Sequence, residues 1–451
     1  MARFLGFVSD RGHSPLAWCV PYVPSLPGRL TSPTAAAPAR KRRAAVPVAA
    51  LAAWALLPGP GQAAALACQT GLDVVLAQPP AAWHGQRLGL VTHDAARDAR
   101  GRPAAEALAA LPGVRLVRLF APEHGLRGAA EGPGRDGRDA RTGLPVVALH
   151  GRRPLPPEAL LGGLDALVVD MQDAGTRHYT YEQTLWSMLE AAGRSRKAVW
   201  VLDRPTPVPG PAQGAWPITP RGLAGGPPVP LRHGLTLGEL ARYAVRQLPD
   251  PPELRVVRVR GWAPRKAWPQ GHRWHPPSPA LREAADALRY CGLGLFEATN
   301  VDCRRPGQAF RWFGARWVDA PAVVRLARKA GLPGVGFRAE ACGGVPGVAV
   351  DVLDAGRYEP VDTGLVLLEA FSRRHPRQLR ISAGMAAALA GSEEVVAMVR
   401  GRRGWRHVSA AWRAQGARFE AAAQPCRLYR AGRPPLATFP PSGRSATLGA
   451  P

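Results

Sequence analysis

The sequence predicts an α/β fold built on a parallel sheet, followed by a smaller α+β unit. From Cys68 onward, short apolar runs alternate with helical patterns, which is typical of βαβ units. The runs are rich in Val and Leu and lack polar alternation, so we expect helices on both faces of the sheet. The 451 residues are enough for two or three domains and rule out a single small module.

The first unit contains five predicted buried strands, at Arg87–Val91, Val114–Phe120, Pro145–Leu149, Ala166–Val169 and Val199–Leu202. Helices are predicted between them at Pro103–Ala110, Pro156–Leu161 and Tyr181–Ala192. The segment Pro205–Pro230 is dense in proline and glycine and predicts a long loop or lid. No Gly-x-Gly-x-x-Gly motif follows the first strand, which argues against a dinucleotide cofactor.

The second unit is predicted to begin near Pro251, after a helix at Thr236–Gln247. Its predicted elements are the strands Glu253–Arg258 and Gly347–Val352, the helices Pro321–Lys329 and Gly364–Phe371, and a loop-like tail beyond Gly432. The sequence thus divides into residues 1–67, 68–250 and 251–451.

Residues 1–67 contain the pattern of a secretory signal. Four basic residues, Arg40–Arg43, precede an apolar run at Ala44–Leu57 and the small residues Ala65–Ala67. The run is short for a membrane span, and no other stretch is apolar enough to cross a bilayer. Residues 1–39 are interpreted as an upstream extension, with a disordered N-terminal arm as the alternative. We therefore expect export to the periplasm or the exterior.

The cysteines give weaker indications. Cys68 follows the signal pattern directly, but Ala65 stands where a lipidation motif prefers leucine, which disfavours a lipid anchor. The six cysteines match no zinc-binding spacing, and their pairing cannot be assigned from the sequence.

The net charge of +26 comes from 59 basic and 33 acidic residues. Only four of the basic residues are lysines, so we attribute much of the arginine excess to a GC-rich genome. The arginines are dispersed and lack the aromatic-basic motifs of nucleic-acid-binding modules, which argues against nucleic acid. An acidic partner or a polyanionic wall is compatible with this charge.

Polar residues follow four of the predicted strands immediately. They are Thr92, His93 and Asp94; Glu123 and His124; Asp170, Gln172 and Asp173; and Asp203 and Arg204. Because the carboxyl ends of parallel strands line one crevice, these residues are expected to meet there.

Carboxyl groups beside histidine and arginine in a crevice permit general acid–base chemistry. The alternatives are a capping or solvated role for Glu123 and turn formation by Asp170 and Asp173. No Gly-x-Ser-x-Gly motif precedes a helix here, which disfavours an esterase. The histidines His93, His124, His178 and His233 lack the spacing of a recognised metal motif. Arg177, Tyr179 and Tyr181 offer a carboxylate donor and rings for stacking on a sugar, with core packing as the alternative.

Several segments resemble a known family. They are Gly71–Leu76, Pro122–Gly128, Asp170–Tyr181, Leu202–Pro205 and Arg232–Leu240. Together, in this order, they resemble the exo-β-N-acetylmuramidase family of bacterial cell-wall recycling, the NamZ type. The resemblance runs from about Gly71 to Tyr429.

The resemblance implies a Rossmann-like catalytic domain and a smaller C-terminal auxiliary domain, with a cleft at their junction. That cleft would release N-acetylmuramic acid from the non-reducing end of peptidoglycan fragments, without a cofactor. By this resemblance, Glu123 is the leading catalytic carboxylate and the general acid, with His124 beside it and Asp170 and Asp173 as further catalytic candidates. The implied substrate-binding residues are Thr92, His93, Gln172, Arg177, Tyr179, Tyr181, Asp203, Arg204, His233, Glu297, Thr299 and Asn300. The implied partners are muropeptides, with neither nucleic acid nor a membrane span.

Arg177 is our hypothesis for the group that binds the lactyl carboxylate of muramic acid. The chain departs from the family pattern at His93, Thr206 and Ala280, where asparagine is usual, and in the 302–307 run. These departures motivate an alternative, a peptidoglycan-binding protein without turnover. A metal-dependent hydrolase ranks last, and the stereochemistry of hydrolysis stays open.

Overall fold

The computed structural model describes residues 68–128, 134–149, 157–217, 227–264, 268–269 and 272–429. The predictions for residues 1–67 and for the tail beyond Gly432 lie outside these ranges. None of the helices within them is long and apolar enough to cross a membrane.

A seven-stranded sheet forms the centre of the first domain. Its strands are β1 (Arg87–Thr92), β2 (Arg115–Ala121), β3 (Gly137–Arg138), β4 (Pro145–Ala148), β5 (Ala166–Asp170), β6 (Ala198–Leu202) and β7 (Leu254–Val257). The order is β3-β4-β2-β1-β5-β6-β7, and every pair is parallel except β3 with β4. The predicted α/β class is confirmed, and the five predicted strands lie within one or two residues of their observed bounds.

Helices cover both faces of this sheet. They are α1 (Gly71–Ala77), α2 (Ala104–Ala109), α3 (Pro157–Leu161), α4 (Thr180–Arg194) and α5 (Leu237–Val245). Successive side chains of a strand point to opposite faces. Accordingly, Leu90 packs in one apolar cluster with Leu72 of α1, while Val91 packs in the other with Leu185 of α4.

The large sheet extends past residue 250, where the sequence places the domain boundary. Strand β7 lies in the range predicted for the auxiliary domain, yet it pairs in parallel with β6 and completes the sheet. Sequence periodicity cannot show which sheet a short strand joins, because that depends on the partner it finds.

The second domain combines helices with a three-stranded antiparallel sheet. Its helices are α6 (Ala284–Leu293), α7 (Ala320–Arg328), α8 (Pro360–Arg374), α9 (Ala383–Ala390), α10 (Glu394–Val399) and α11 (Trp405–Ala423). A 3-10 helix, Gly294–Ala298, continues α6. The strands β8 (Trp312–Gly314), β9 (Val335–Cys342) and β10 (Val345–Val352) pair in the order β8-β10-β9. This is the predicted smaller α+β domain, although α6 and α9–α11 were not predicted.

The loop after β6 is largely buried where it is described. Residues 205–217 are irregular and mostly enclosed, and Gln213 pairs with Arg232 across an isolated bridge. The described cysteines form no disulfide among themselves.

Candidate active site

Four parallel strands end side by side and bring the predicted polar residues to one edge. The strands β2, β1, β5 and β6 are consecutive in the sheet, and Thr92 lies opposite Asp170 in register. The loops that follow these strands carry Glu123, His93, Asp173 and Arg204. The local order of the sequence and the sheet topology together therefore bring these polar residues to one edge of the sheet, the edge at which parallel sheets bind ligands, which we call the crevice.

Glu123 is half-buried in the turn after β2 and is held by the start of α4. The Thr180 hydroxyl donates to Glu123 Oε2 at 2.7 Å. The single Tyr181 hydroxyl hydrogen lies between the main-chain oxygens of Glu123 and Pro277, which are 3.1 and 3.0 Å from the hydroxyl oxygen. The next residue, His124, has φ of 67°, a left-handed conformation that non-glycine residues rarely adopt outside functional turns. The turn thus fixes a carboxylate that still reaches solvent.

His93 lies beneath this turn as a neutral, buried ring. Its Nε2 accepts the main-chain N–H of Gln172 at 3.0 Å, so the ring proton is on Nδ1, which faces the Tyr181 hydroxyl at 3.5 Å. The ring also meets the Tyr181 ring edge-on, with centroids 4.8 Å apart. Burial, assisted by the positive charge of Arg204, lowers the pKa of His93 to about 3. His93 therefore supports the site as a fixed neutral group.

Asp170 and Arg204 form a buried ion pair. Arg204 Nε donates to Asp170 Oδ1 at 2.6 Å and Nη2 donates to Oδ2 at 2.9 Å, and both side chains are almost fully enclosed. Burial raises the pKa of Asp170, and the guanidinium opposes that rise. Because Arg204 engages both carboxylate oxygens, the pair joins the ends of β5 and β6, and the catalytic role of Asp170 stays a prediction.

Asp173 and His233 meet at a residue that the sequence analysis did not select, Glu182. The amide of Gly175 donates to Asp173 Oδ2 at 2.6 Å, and His233 Nε2 lies 2.7 Å from Glu182 Oε1. Burial raises the pKa of Asp173 well above its usual range and that of Glu182 to about 8, and it lowers the pKa of His233 to about 4. This cluster is buried next to the crevice, and burial favours the neutral form of each of its three groups.

Arg177 binds a helix end in this structure. Its guanidinium is 1% exposed and donates to the carbonyls of Ala388 (3.1 Å) and Leu389, the last turn of α9. A cation at a helix C-terminus satisfies carbonyls and complements the helix dipole. This contact joins the two domains, and an Arg177 clamp on the lactyl carboxylate stays a prediction.

Three further predicted residues, Tyr179, Thr92 and Gln172, are buried near the strand ends. Tyr179 packs on Tyr181, with ring centroids 4.6 Å apart, and Thr92 is buried beside Asp170. The Gln172 amide donates to the main-chain oxygens of Asp173 and Pro205, at 3.1 and 3.3 Å.

Asp203 and Asn300 have structural partners. Asp203 accepts hydrogen bonds from Arg204 and Gly238 amides and from Thr236 and Tyr429 hydroxyls, at 2.6–3.0 Å. Asn300 is exposed and bonds the main chain of Gln378 (3.0 Å) and Arg380 (2.8 Å), while Thr299 bonds within its own turn.

The second domain supplies another half-buried carboxylate, Glu297, on the 3-10 helix after α6. It forms an ion pair with Arg304. Both Glu297 and Glu123 act on the buried phenol of Tyr290, whose pKa is raised mainly by burial and further by these two carboxylates. The charges of Glu123, from the first domain, and Glu297, from the second, therefore both influence Tyr290.

Two side chains that contact predicted site residues were not selected from the sequence, Thr180 and Glu182. Both belong to the first turn of α4, where polar and acidic residues are common as helix-start signals. Their spatial partners, Glu123 and His233, lie about fifty residues away in sequence. Among the described residues, no group of three or more His, Cys, Asp or Glu side chains is arranged to hold a metal ion.

Comparison with known proteins gives consistent matches over most of the chain. The N-terminal family model of the exo-β-N-acetylmuramidase NamZ matches residues 88–285, and the C-terminal model matches residues 288–429. The peptidoglycan β-N-acetylmuramidase NamZ of Bacillus subtilis (strain 168) is 31% identical over 342 residues, which covers 72% of this chain and 82% of that protein. The models meet at the start of α6, which agrees with the place of β7 in the large sheet.

Solved structures show the same architecture. A DUF1343 family protein from Bacteroides fragilis NCTC 9343 superposes with a TM-score of 0.74 at 28% identity, covering 80% of this chain and 99% of that one. A second DUF1343 protein of that organism, 22% identical with a TM-score of 0.60, supports the fold alone. Since both family models match in chain order and the Bacillus relative is covered over most of its length, this chain belongs to the exo-β-N-acetylmuramidase NamZ family.

Proposed function

We propose that this chain is an exo-acting glycosidase that releases N-acetylmuramic acid from the non-reducing ends of peptidoglycan fragments. Membership of the NamZ family and the similarity to the Bacillus enzyme support this reaction class. The observation that carries the proposal is Glu123, a half-buried carboxyl oriented by Thr180 at the carboxyl edge of the sheet.

Glu123 acts as the general acid. In the protonated form it donates its proton to the glycosidic oxygen while the bond from that oxygen to the sugar C1 breaks. The leaving sugar departs with a neutral hydroxyl, and positive charge develops on the ring that remains. Asp170 does not compete for this role, because Arg204 engages both of its oxygens.

Glu297 is the second carboxylate of the cleft in this proposal. Its ion pair with Arg304 favours the ionised form, which is the form that stabilises positive charge on the sugar ring or activates water. The spacing of two such carboxylates decides between retention and inversion of configuration.

The test is release of a chromophore from a β-N-acetylmuramic acid glycoside, with the N-acetylglucosamine analogue as control substrate. Glu123→Gln keeps the size and hydrogen-bonding capacity of the side chain but cannot deliver the proton. We expect kcat to fall by about 10²–10⁴-fold, which is typical for loss of a general acid. Glu253→Gln, at an exposed carboxylate paired with Arg255, is the matched control and should retain wild-type turnover.

Two outcomes of this assay would contradict the proposal, each in a different way. Full turnover in Glu123→Gln would remove Glu123 from the acid role. Tight muropeptide binding by a wild-type protein that releases no chromophore would establish a binding protein on this fold instead.

We also propose that the protein is exported and acts in cell-wall turnover. The support is the basic, apolar and small-residue order of residues 40–67. Peptide mapping of the exported protein should place its N-terminus near Cys68. Recovery of intact residues 1–67 from a cytoplasmic fraction alone would contradict the proposal.

A further inference from the structure

Asp173 and Glu182 form a buried acid pair next to the crevice. The two side chains are 7% and 0% exposed, and their carboxyl groups lie within hydrogen-bonding reach of each other. Asp173 belongs to the loop after β5, and Glu182 belongs to the first turn of α4. The pair therefore connects the sheet edge to the helix that holds Glu123.

One oxygen of each carboxyl accepts a hydrogen bond from a neighbouring group. His233 Nδ1 accepts the amide of Leu235 at 3.1 Å, so the ring proton is on Nε2 and is donated to Glu182 Oε1 at 2.7 Å. The amide of Gly175 occupies Asp173 Oδ2. These contacts leave Asp173 Oδ1 and Glu182 Oε2 as the oxygens that face each other.

The two facing oxygens require a proton between them. In the described part of the chain, neither oxygen accepts a hydrogen bond from an N–H or O–H group of the protein. Two ionised carboxylates in one buried place repel strongly, whereas a carboxylic acid donates to its neighbour and removes the repulsion. Burial raises the pKa of both carboxyls; the charge of Glu182 and its hydrogen bond raise the pKa of Asp173 further, whereas the same hydrogen bond lowers the pKa of Glu182.

We propose that Asp173 and Glu182 share one proton, and that this proton fixes the first turn of α4 in the orientation that positions Glu123. Thr180 and Tyr181, which hold the side chain and main chain of Glu123, immediately precede Glu182 in that turn. Glu182 is thus a positioning residue for the proposed glycosidase, and this role rests on the proposed function.

Other charged and titratable groups face the pair from every neighbouring element. They are Arg177 and Tyr179 from the same loop, His233 before α5, Cys291 of α6, and Arg427, Glu239 and Glu420 around His233. Arg177 favours ionisation of Glu182, while burial opposes it and dominates. The cysteine thiol stays neutral, because burial raises its pKa to about 12. Deprotonation of the pair therefore adds an uncompensated charge beneath α4.

The first experiment compares Glu182→Gln, Glu182→Leu and the control Glu190→Gln, which lies on the same helix and bonds Trp186 instead. The glutamine amide donates permanently to Asp173 and its oxygen accepts from His233. We expect the leucine variant to lose more than tenfold in kcat with little change in KM, and the glutamine variant to recover most of that loss. The wild type should lose activity between about pH 7 and 9, and Glu182→Gln should lack this alkaline fall.

The same alkaline fall in Glu182→Gln as in the wild type and Glu190→Gln would overturn the proposal, as would full kcat in Glu182→Leu. If the leucine variant does not fold, the pH profile of the glutamine variant decides alone.

A second measurement tests the proton without substrate. The folded pair has a raised pKa, so the stability that it contributes is present below about pH 4 and is lost as pH rises through the folded pKa. The glutamine variant has no proton to lose at this position. Its urea midpoint, relative to wild type, should rise steadily from pH 5 to pH 9.

A flat difference that matches Glu190→Gln would overturn the shared proton. A rising difference in a protein that hydrolyses no muramoside would instead retain the shared proton and overturn both the proposed function and the positioning role.

Discussion

At the scale of single residues, Glu123 owes its orientation to one hydroxyl group. Thr180→Val removes that donor while keeping the shape of the side chain. A side-chain hydrogen bond is worth about 0.5–1.5 kcal/mol, and Glu123 would lose part of its fixed geometry with it. We expect kcat for the muramoside to fall by about tenfold or more, measured under saturating substrate.

Thr184→Val is the matched control, one turn further along α4. The Thr184 hydroxyl donates to the carbonyl of Thr180 at 3.0 Å and does not contact Glu123. Its loss should leave kcat within about twofold of wild type, since surface-side changes of this kind are small. Equal losses in the two variants would mean that the helix, and not the Thr180–Glu123 bond, controls turnover.

The sequence predicts where the polar side chains lie, but it does not predict which groups they bond. The position of Glu123, His93 and Asp173 at strand ends follows from apolar runs, and the structure places all three at the crevice. The partner that engages each group does not follow, because Arg177 donates to Leu389, more than two hundred residues away. Asp170 and Asn300 are residue types that are common in binding sites. In the structure, Arg204 donates to the Asp170 carboxylate, and the Arg380 amide donates to the Asn300 side chain.

At the scale of elements, the buried parallel strands and the helices α7 and α8 were predictable, whereas α6 and α9–α11 were not. Buried parallel strands are short continuous apolar runs, which stand out in a sequence. Helix α9 (Ala383–Ala390) is instead alanine-rich, with apolar residues on every side, so it lacks the polar face by which an amphipathic helix is identified. It is fixed from outside, by Arg177 at its C-terminal carbonyls.

Replacement by alanine should change the free energy of unfolding in opposite directions at two glycines, Gly384 within α9 and Gly391 directly after it. Gly391 follows the helix with φ of 70°, and an added Cβ would lie 3.0 Å from Arg177 Nη2. Gly391→Ala should therefore lower the free energy of unfolding by about 1 kcal/mol or more. The measurement is the urea midpoint at constant m-value.

Gly384→Ala is the control within the same helix. Gly384 is exposed, and an added Cβ would meet no atom within 4 Å. Alanine is favoured over glycine in a helix by about 0.8–1.0 kcal/mol, so this variant should be more stable than wild type. A stabilised Gly391→Ala would contradict the left-handed helix end and its contact with Arg177.

At the scale of the whole molecule, the last residues that the structure describes pack back on the first domain. One apolar cluster runs from Val91 of β1 to Phe419 of α11, so both family domains share a core. The amides of Leu428 and Tyr429 donate to Glu239 Oε1 at 2.7 and 3.2 Å. We therefore expect both domains to unfold together in one transition.

Tyr429→Phe tests how much the contact between Tyr429 and the first domain stabilises the protein, and how that contribution depends on pH. The Tyr429 hydroxyl donates to Asp203 Oδ2 at 2.6 Å and accepts the Val259 amide at 2.9 Å. Its loss should cost about 1.5–3 kcal/mol at neutral pH, because a buried carboxylate loses a donor. Fluorescence and circular dichroism should report the same lowered urea midpoint.

The sign of the pH dependence follows from Asp203. Burial raises the pKa of Asp203 to about 6, and the Tyr429 hydroxyl limits that rise. Stability from this group is present below about pH 4 and is lost as pH rises through the folded pKa, which increases further without the hydroxyl. The cost of Tyr429→Phe should therefore be larger at pH 8 than at pH 5.

Tyr243→Phe is the control. It removes a 3.4 Å bond to the Pro228 carbonyl and should lower the free energy of unfolding little and equally at both pH values. A pH-independent cost for Tyr429→Phe would mean that the hydroxyl acts only on the Val259 amide.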